Sequence, residues 1–192
     1  LATTCRGDIL KMTTLAASGH PGGSMSSIDM YLTVYKFANI NKDNYRCFSR
    51  DRVFVSHGHT SPCVYTTLAA NGFFPAEDAV AYFRLAGSKY EGHIERMVPG
   101  VEWSTGNLGQ GLSAACGAAV AGRLRNEKFD LYVFMGDGEQ QKGQNSEARR
   151  FAAKFGYNNI TAFIDYNKLQ ISGSICSVMP QNLREEYEAD GW

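Results

Sequence analysis

The segments "LYVFM" (131–135) and "ITAFID" (160–165) decide the fold of this 192-residue chain. Each is a short apolar run bounded by glycine or polar residues, which predicts a buried β-strand. Residues 145–155, which lie between them, have the pattern of a helix. A strand, a helix and a strand at this spacing form a βαβ unit, whose parallel strands are covered on both faces. We therefore predict an α/β fold with a doubly wound parallel sheet.

The other elements follow from apolar spacing and from capping residues. We expect Ser24 to cap the second helix and Pro75 to open the fourth. The glycine-rich and polar segment 87–107 predicts a loop. Helices are expected near 7–17, 24–38, 62–71, 75–85 and 108–125, and a further strand near 52–56. No repeat or linker interrupts the chain, so we predict one domain over residues 1–192, and the start without Met indicates part of a longer protein.

Composition favours an ordinary soluble protein, with 44% hydrophobic and 20% charged residues. Lys+Arg and Asp+Glu are both 19. This balance does not favour nucleic-acid or anionic-membrane partners, which bind proteins that carry surplus positive charge. The five scattered cysteines are interpreted as reduced core or helix-packing residues of a cytoplasmic protein. We see neither a membrane-spanning run nor a signal-peptide pattern.

Polar side chains follow both strands of the predicted βαβ unit. Asp137 lies between Gly136 and Gly138 after the first strand, and Asn167 follows the second. Ligands of open parallel sheets bind beyond the carboxyl ends of the strands. Two side-chain oxygens and a backbone carbonyl make half of the octahedral shell of Mg²⁺, which phosphate oxygens and water complete. The alternative is two unrelated turns, because Asp and Asn are common turn residues.

All four histidines lie in loops that contain glycine: His20 in "GHPGG", His57 and His59 in "SHGHTSP", and His93 in "YEGHIE". Histidine exchanges protons and hydrogen bonds near neutral pH, which suits a site that handles polar oxygen atoms. The alternative is ordinary exposed loop residues. Their spacing does not indicate zinc, because no HxxxH pair or nearby cysteine completes a ligand set.

A glycine-rich turn, "STGNLGQG" (104–111), leads into the helix of small residues. It matches the dinucleotide fingerprint only loosely and lacks the strand that should precede it, so a nicotinamide site is not favoured. A helix N-terminus there would present backbone N–H groups to a flat or anionic ligand.

Six motifs together resemble the diphosphate-binding domain of the transketolase family, and the resemblance extends over nearly the whole chain. They are "SGHPGGSMS", "DRVFVSHGHTSP", "EGHIE", "STGNLGQGLS", "GDGEQQKGQNSEA" and "DYNKLQISG". The Gly-Asp-Gly…Asn pair alone is typical of thiamine-diphosphate enzymes in general. The histidine loops and "TGNLGQG" together narrow the resemblance to the transketolase family. The chain looks most similar to split transketolases, whose diphosphate-binding half is a separate polypeptide.

The resemblance implies a site for thiamine diphosphate and Mg²⁺, with Ca²⁺ or Mn²⁺ as substitutes. The side chains of Asp137 and Asn167 match the family's metal ligands, as does the carbonyl of Leu169. Gly138 and His59 match contacts to the cofactor diphosphate.

Four further residues match positions at the reacting end of the cofactor or beside it. The main chain at Gly106 and Leu108 matches contacts to the aminopyrimidine ring. His20 and His93 match catalytic histidines that bond substrate oxygens beside the thiazolium carbon. No such role is implied for His57.

The activity implied is transfer of a two-carbon ketol unit from a ketose or ketose phosphate to an aldose or aldose phosphate. In the family, the glutamate that acts on the aminopyrimidine and the residues that hold a sugar phosphate belong to a second domain. We therefore expect a pyrimidine-binding C-terminal partner subunit within a heterotetramer that has two copies of each chain, and no activity from this chain alone.

Two residues depart from the family pattern: Lys142 stands where close relatives usually have Glu, and Ile94 stands where Pro commonly follows the histidine. These departures leave subunit coupling and donor preference open. Two alternatives remain at this point. One is another thiamine-diphosphate reaction, such as condensation of pyruvate in the manner of deoxyxylulose-phosphate synthase. The other is a non-catalytic cofactor-binding module, for which Lys142 is the strongest support.

Overall fold

Helices and short strands alternate along the chain in a computed structural model that describes residues 1–192. The helices are α1 (Ala2–Leu15), α2 (Pro21–Phe37), α3 (Ser61–Ala70), α4 (Ala76–Tyr82), α5 (Gly111–Arg125), α6 (Gly143–Phe155), α7 (Ile175–Val178) and α8 (Leu183–Ala189). The strands are β1 (Arg52–Val55), β2 (Leu131–Gly136), β3 (Ile160–Asp165), β4 (Leu169–Gln170) and β5 (Gly173–Ser174). Gly58–Thr60 and Gly138–Gln141 form short 3₁₀ helices.

The residues form two compact units, the first made of Leu1–Arg52 and Gly58–Gly106 and the second of Val53–His57 and Asn107–Trp192. The first unit holds α1 to α4, whose core contains Ile9, Met12, Ile28, Tyr31 and Leu68, all fully buried. The second unit holds the sheet, the remaining helices and a core of its own. No helix in residues 1–192 is both long and apolar enough to cross a bilayer.

The sheet of the second unit has the order β1-β2-β3, and β2 pairs with β3 in parallel from Leu131↔Ile160 to Gly136↔Asp165. Small residues of α5, including Ala115 and Ala119, pack on this sheet in one apolar cluster. The α/β class and the parallel pairing are therefore confirmed. The expectation of two covered faces holds for β2, but β3 lies at the edge of the sheet, where Thr161 is exposed.

Several element boundaries differ from the predictions for physical reasons. The second helix begins at Pro21 and His20 precedes it, so the prediction that Ser24 caps this helix is wrong; proline fits the first helical turn because its missing N–H is not needed there. Helix α5 begins at Gly111 and not near 108, because the preceding residues form a turn. All five cysteines are free, and Cys47 and Cys176 are exposed, contrary to the core placement expected for them.

Candidate functional site

Asp137 lies at the carboxyl edge of the sheet, directly after β2. Its backbone N–H donates to the carbonyl of Asp165 (3.2 Å), which extends the β2–β3 pairing by one residue. The residue is 1% exposed. Its Oδ1 accepts from the Gly138 N–H (2.8 Å) and its Oδ2 accepts from the Lys168 N–H (2.5 Å). The carboxylate thus joins the ends of two neighbouring strands.

Asn167 lies in the loop that this carboxylate contacts. Its Nδ2 donates to Asp165 Oδ2 (3.4 Å), and its Oδ1 accepts from the Leu169 N–H (2.9 Å), which fixes the orientation of the amide. Lys168, the residue between Asn167 and Leu169, has a φ of 64°, in the left-handed region that few side chains adopt. This conformation turns the Lys168 N–H towards Asp137, so the structure brings the two predicted metal-binding segments together.

The oxygen atoms at this edge suit a hard divalent cation. Asp137 supplies a carboxylate, Asn167 an amide oxygen and Leu169 a carbonyl, which is the ligand chemistry of Mg²⁺. Burial raises the pKa of the Asp137 carboxyl, and the N–H groups of Lys168 and Gly138 oppose that rise. A cation would favour the ionised form further. No group of three or more His, Cys, Asp or Glu side chains in residues 1–192 is placed to hold a metal, so a metal here depends on this mixed oxygen set.

Gly138 begins the 3₁₀ helix that follows Asp137 and closely approaches the next loop. A Cβ added to Gly138 would lie 3.1 Å from Gln170 Oε1 and 3.3 Å from Gln170 Cβ. Gln181 also reaches this segment, donating from Nε2 to the Asp137 carbonyl (2.9 Å). A side chain at position 138 would therefore press on Gln170, and glycine avoids this contact.

Glu139 is a buried carboxylate that the sequence reasoning missed. It is 3% exposed and accepts hydrogen bonds from Ser56 Oγ (2.5 Å), Gly109 N–H (2.5 Å) and Gly136 N–H (2.8 Å). Burial raises the pKa of this carboxyl, while those hydrogen bonds and the charge of Lys142 act to lower it. Glu139 therefore links the ends of β1 and β2 to the turn before α5.

The two predicted aminopyrimidine contacts lie at or beside that turn. Gly106 is exposed and Leu108 is half-buried. Gly109 has a φ of +80°, which favours glycine. At Gly111, an added Cβ would lie only 2.5 Å from the Cβ of Ser56, so the start of α5 packs directly on the end of β1.

Three of the four histidines form a cluster in the first unit. The ring centroids of His20 and His59 are 5.2 Å apart, and those of His20 and His93 are 6.0 Å apart. Gly23 borders this cluster, since a Cβ there would lie 3.6 Å from His59 Nε2, at van der Waals contact. The structure thus brings His20, His59 and His93 together. His57 belongs to the second unit and is buried.

Ile94 has a direct part in positioning the His93 loop. Its N–H donates to the Gly58 carbonyl (3.3 Å), and its carbonyl accepts from the Thr105 N–H (3.1 Å). Proline at this position could not donate the first of these bonds. The departure from the family pattern therefore adds a backbone link between the His93 loop and the segment that carries His59.

Arg84 is a second residue that the sequence reasoning missed. Its Nη1 donates to Ser18 Oγ (2.6 Å), and it has a left-handed φ of 59°. Burial is the largest cause that lowers the pKa of His20, and the charges of Arg84 and His93 lower it further. The buried atoms His20 Nδ1 and Arg84 Nε have no hydrogen-bond partner in the structure. The cluster therefore holds a neutral imidazole and unsatisfied polar atoms, which suits a polar ligand.

Comparison with known proteins identifies the family. A family model described as "Transketolase, thiamine diphosphate binding domain" matches residues 2–192. One of the subunits of the apulose-4-phosphate transketolase of Phocaeicola vulgatus is 36% identical over 188 residues, which are 96% of this chain and 66% of that protein. The 6-deoxy-6-sulfo-D-fructose transketolase of a Clostridium species has a subunit that is 36% identical over 177 residues, 91% of this chain and 64% of that protein.

Solved structures give the same result. The transketolase of Campylobacter jejuni superposes with a TM-score of 0.91 at 31% identity, covering 99% of this chain and 31% of that one. The chain thus spans about two thirds of the subunit relatives and under a third of this whole transketolase. The predicted family and the thiamine-diphosphate-binding fold are confirmed. Because the family model covers all but the first residue, the chain belongs to the transketolase family, as a thiamine diphosphate binding domain.

Proposed function

We propose that this chain is the diphosphate-binding subunit of a transketolase that moves a two-carbon ketol unit from a ketose or its phosphate to an aldose or its phosphate. The observation that supports this most directly is the hydrogen bond from the Lys168 N–H to Asp137 Oδ2 (2.5 Å). This bond holds the carboxylate against the loop that carries Asn167, at the edge of the sheet where ligands of such folds bind.

In this proposal, the second unit holds the metal and the cofactor tail. The side chains of Asp137 and Asn167 and the carbonyl of Leu169 bind Mg²⁺, for which Ca²⁺ or Mn²⁺ can substitute. Gly138 contacts the diphosphate, where the absence of a Cβ leaves room. Leu108 presents its main chain to the aminopyrimidine ring.

Gly106 also contacts that ring, and His59 contacts the diphosphate. His20 and His93 bind substrate oxygens and exchange protons with them. A neutral His20 retains a lone pair at pH 7 because burial and the charge of Arg84 lower its pKa, so it is able to accept a proton as well as donate a hydrogen bond. Thiamine diphosphate, when bound, supplies the nucleophilic carbon and the electron sink for carbon–carbon cleavage.

The proposal includes a partner. Two relatives are named as transketolase subunits, which supports an enzyme completed by a second subunit. We propose that this partner is a pyrimidine-binding subunit, that the assembly has two copies of each chain and that it is cytoplasmic. We propose that residues 1–192 act in it as one diphosphate-binding domain. The relatives are named for a sugar phosphate and a sulfonated sugar, and we propose an anionic sugar as substrate here.

Calorimetry and a transfer assay on the protein with its partner subunit test this proposal. Thiamine diphosphate is expected to bind in the presence of Mg²⁺ and to lose most of its affinity after chelation or in Asp137→Ala. Asp43→Ala is the matched control, because that side chain is 81% exposed and makes only a surface ion pair with Lys42. Absence of metal-dependent binding, or turnover of pyruvate with no ketose accepted, would overturn the proposal.

A further inference from the structure

The turn before α5 is held by side chains of the second unit, namely Ser56 after β1 and two residues of the segment that follows Asp137. We call Asn107–Gly111 the glycine turn. The Glu139 carboxylate accepts hydrogen bonds from the N–H of Gly109 (2.5 Å) and from the hydroxyl of Ser56 (2.5 Å). Ser56 Oγ in turn accepts from the N–H of Gly111 (3.1 Å). One buried carboxylate thus holds the glycine turn at two points, one of them through a hydroxyl.

Lys142 holds the same turn from its outer side. Its Nζ donates to Asn107 Oδ1 (2.5 Å). Its aliphatic stem covers Gly109, where an added Cβ would lie 2.9 Å from Lys142 Cδ and 3.1 Å from Lys142 Cβ. Asn107 and Gly109 are therefore each fixed by a residue that lies within five positions of Asp137.

We propose that Glu139 and Lys142 are positioning residues that fix the glycine turn for the aminopyrimidine end of the cofactor. This inference rests on the proposed function, in which Leu108 presents its main chain to that ring. A turn with two glycines has many conformations to lose when a ligand binds, and fixing it beforehand removes that cost from binding. The segment that follows Asp137 therefore serves both ends of the cofactor.

The two ends of the cofactor can be probed separately. Calorimetry on the intact protein with its partner subunit uses two probes with Mg²⁺: thiamine diphosphate and inorganic pyrophosphate. Lys142→Met keeps the stem and removes the ammonium. It is expected to weaken thiamine diphosphate about tenfold, the effect of one lost hydrogen bond to a charged group. Pyrophosphate affinity should stay within about twofold, because the residues around Asp137 are unchanged.

Controls and a second measurement keep the outcomes distinct. Lys142→Arg should restore most of the affinity, and Lys11→Met, a surface change in the first unit, should leave both probes unaffected. In the cofactor-free protein, hydrogen exchange of residues 107–111 should be faster in Lys142→Met and in Glu139→Gln. Unchanged thiamine diphosphate affinity, equal loss of both probes, or unchanged exchange would overturn the inference. Failure of the unaltered protein to bind either probe would instead overturn the proposed function.

Discussion

Replacing Ser56 by alanine removes one hydroxyl that makes two buried hydrogen bonds in the second unit. Ser56 Oγ donates to Glu139 Oε2 (2.5 Å) and accepts from the Gly111 N–H (3.1 Å). A hydrogen bond to a charged group is worth about 1.5–3 kcal/mol, and a buried N–H left without its acceptor costs about 1–3 kcal/mol. Since the two terms overlap at one atom, we expect a loss of about 2–4 kcal/mol in the free energy of unfolding.

Urea unfolding followed by circular dichroism measures this loss, and the thermal midpoint should fall by roughly 5–15 °C for a chain of this size. Ser24→Ala is the matched control, since Ser24 is also fully buried but its hydroxyl has no hydrogen-bond partner. Its removal is expected to be neutral or stabilising. A loss below about 0.5 kcal/mol in Ser56→Ala, the range of ordinary surface changes, would refute the argument that Glu139 and Ser56 form a stabilising network.

Arg84→Met is expected to raise the pKa of His20, because the guanidinium charge contributes to lowering it; an NMR titration of the ring protons measures this, and an unchanged pKa would contradict it. Arg149→Met is expected to destabilise the protein by about 3 kcal/mol, since the Arg149 side chain is 4% exposed and lies 2.7 Å from Asp190 Oδ2. Urea unfolding measures that effect, and a loss below about 1 kcal/mol would show that the pair contributes little.

Local patterns were sufficient to predict the part of the site that depends on strand order. The apolar runs at 131–135 and 160–165 predict two parallel neighbours, and the carboxyl ends of parallel neighbours meet at one edge. Asp137 and Asn167 follow those ends, so their proximity needs no further information. The roles assigned to the predicted site residues remain predictions, as does a single domain over residues 1–192.

Residues that act through distant contacts could not be predicted in this way. Glu139 receives the Ser56 hydroxyl and the Gly109 N–H from positions 83 and 30 residues away, and no local spacing encodes such distances. The only signal was a carboxylate next to "GDG", which also fits a surface turn. The sequence signal for Arg84 was weaker still, because "FRLAGS" (83–88) has the pattern of an ordinary helix end. Long-range hydrogen bonds of this kind are set by packing rather than by periodicity.

The contacts of Lys142 change how this departure from the family pattern is interpreted. From the sequence, it is the strongest support for a non-catalytic module, because the family pattern that the chain resembles usually has Glu there. In the structure, its ammonium bonds Asn107 and its charge acts to lower the pKa of the Glu139 carboxyl, whereas a glutamate would add a second negative charge beside it. The change therefore alters the charge balance of the glycine turn and leaves the oxygen set around Asp137 intact. A cofactor-binding module would keep that set whether or not it is catalytic. The bond to Asn107 gives Lys142 a structural role in either case, so Lys142 by itself no longer favours the non-catalytic alternative.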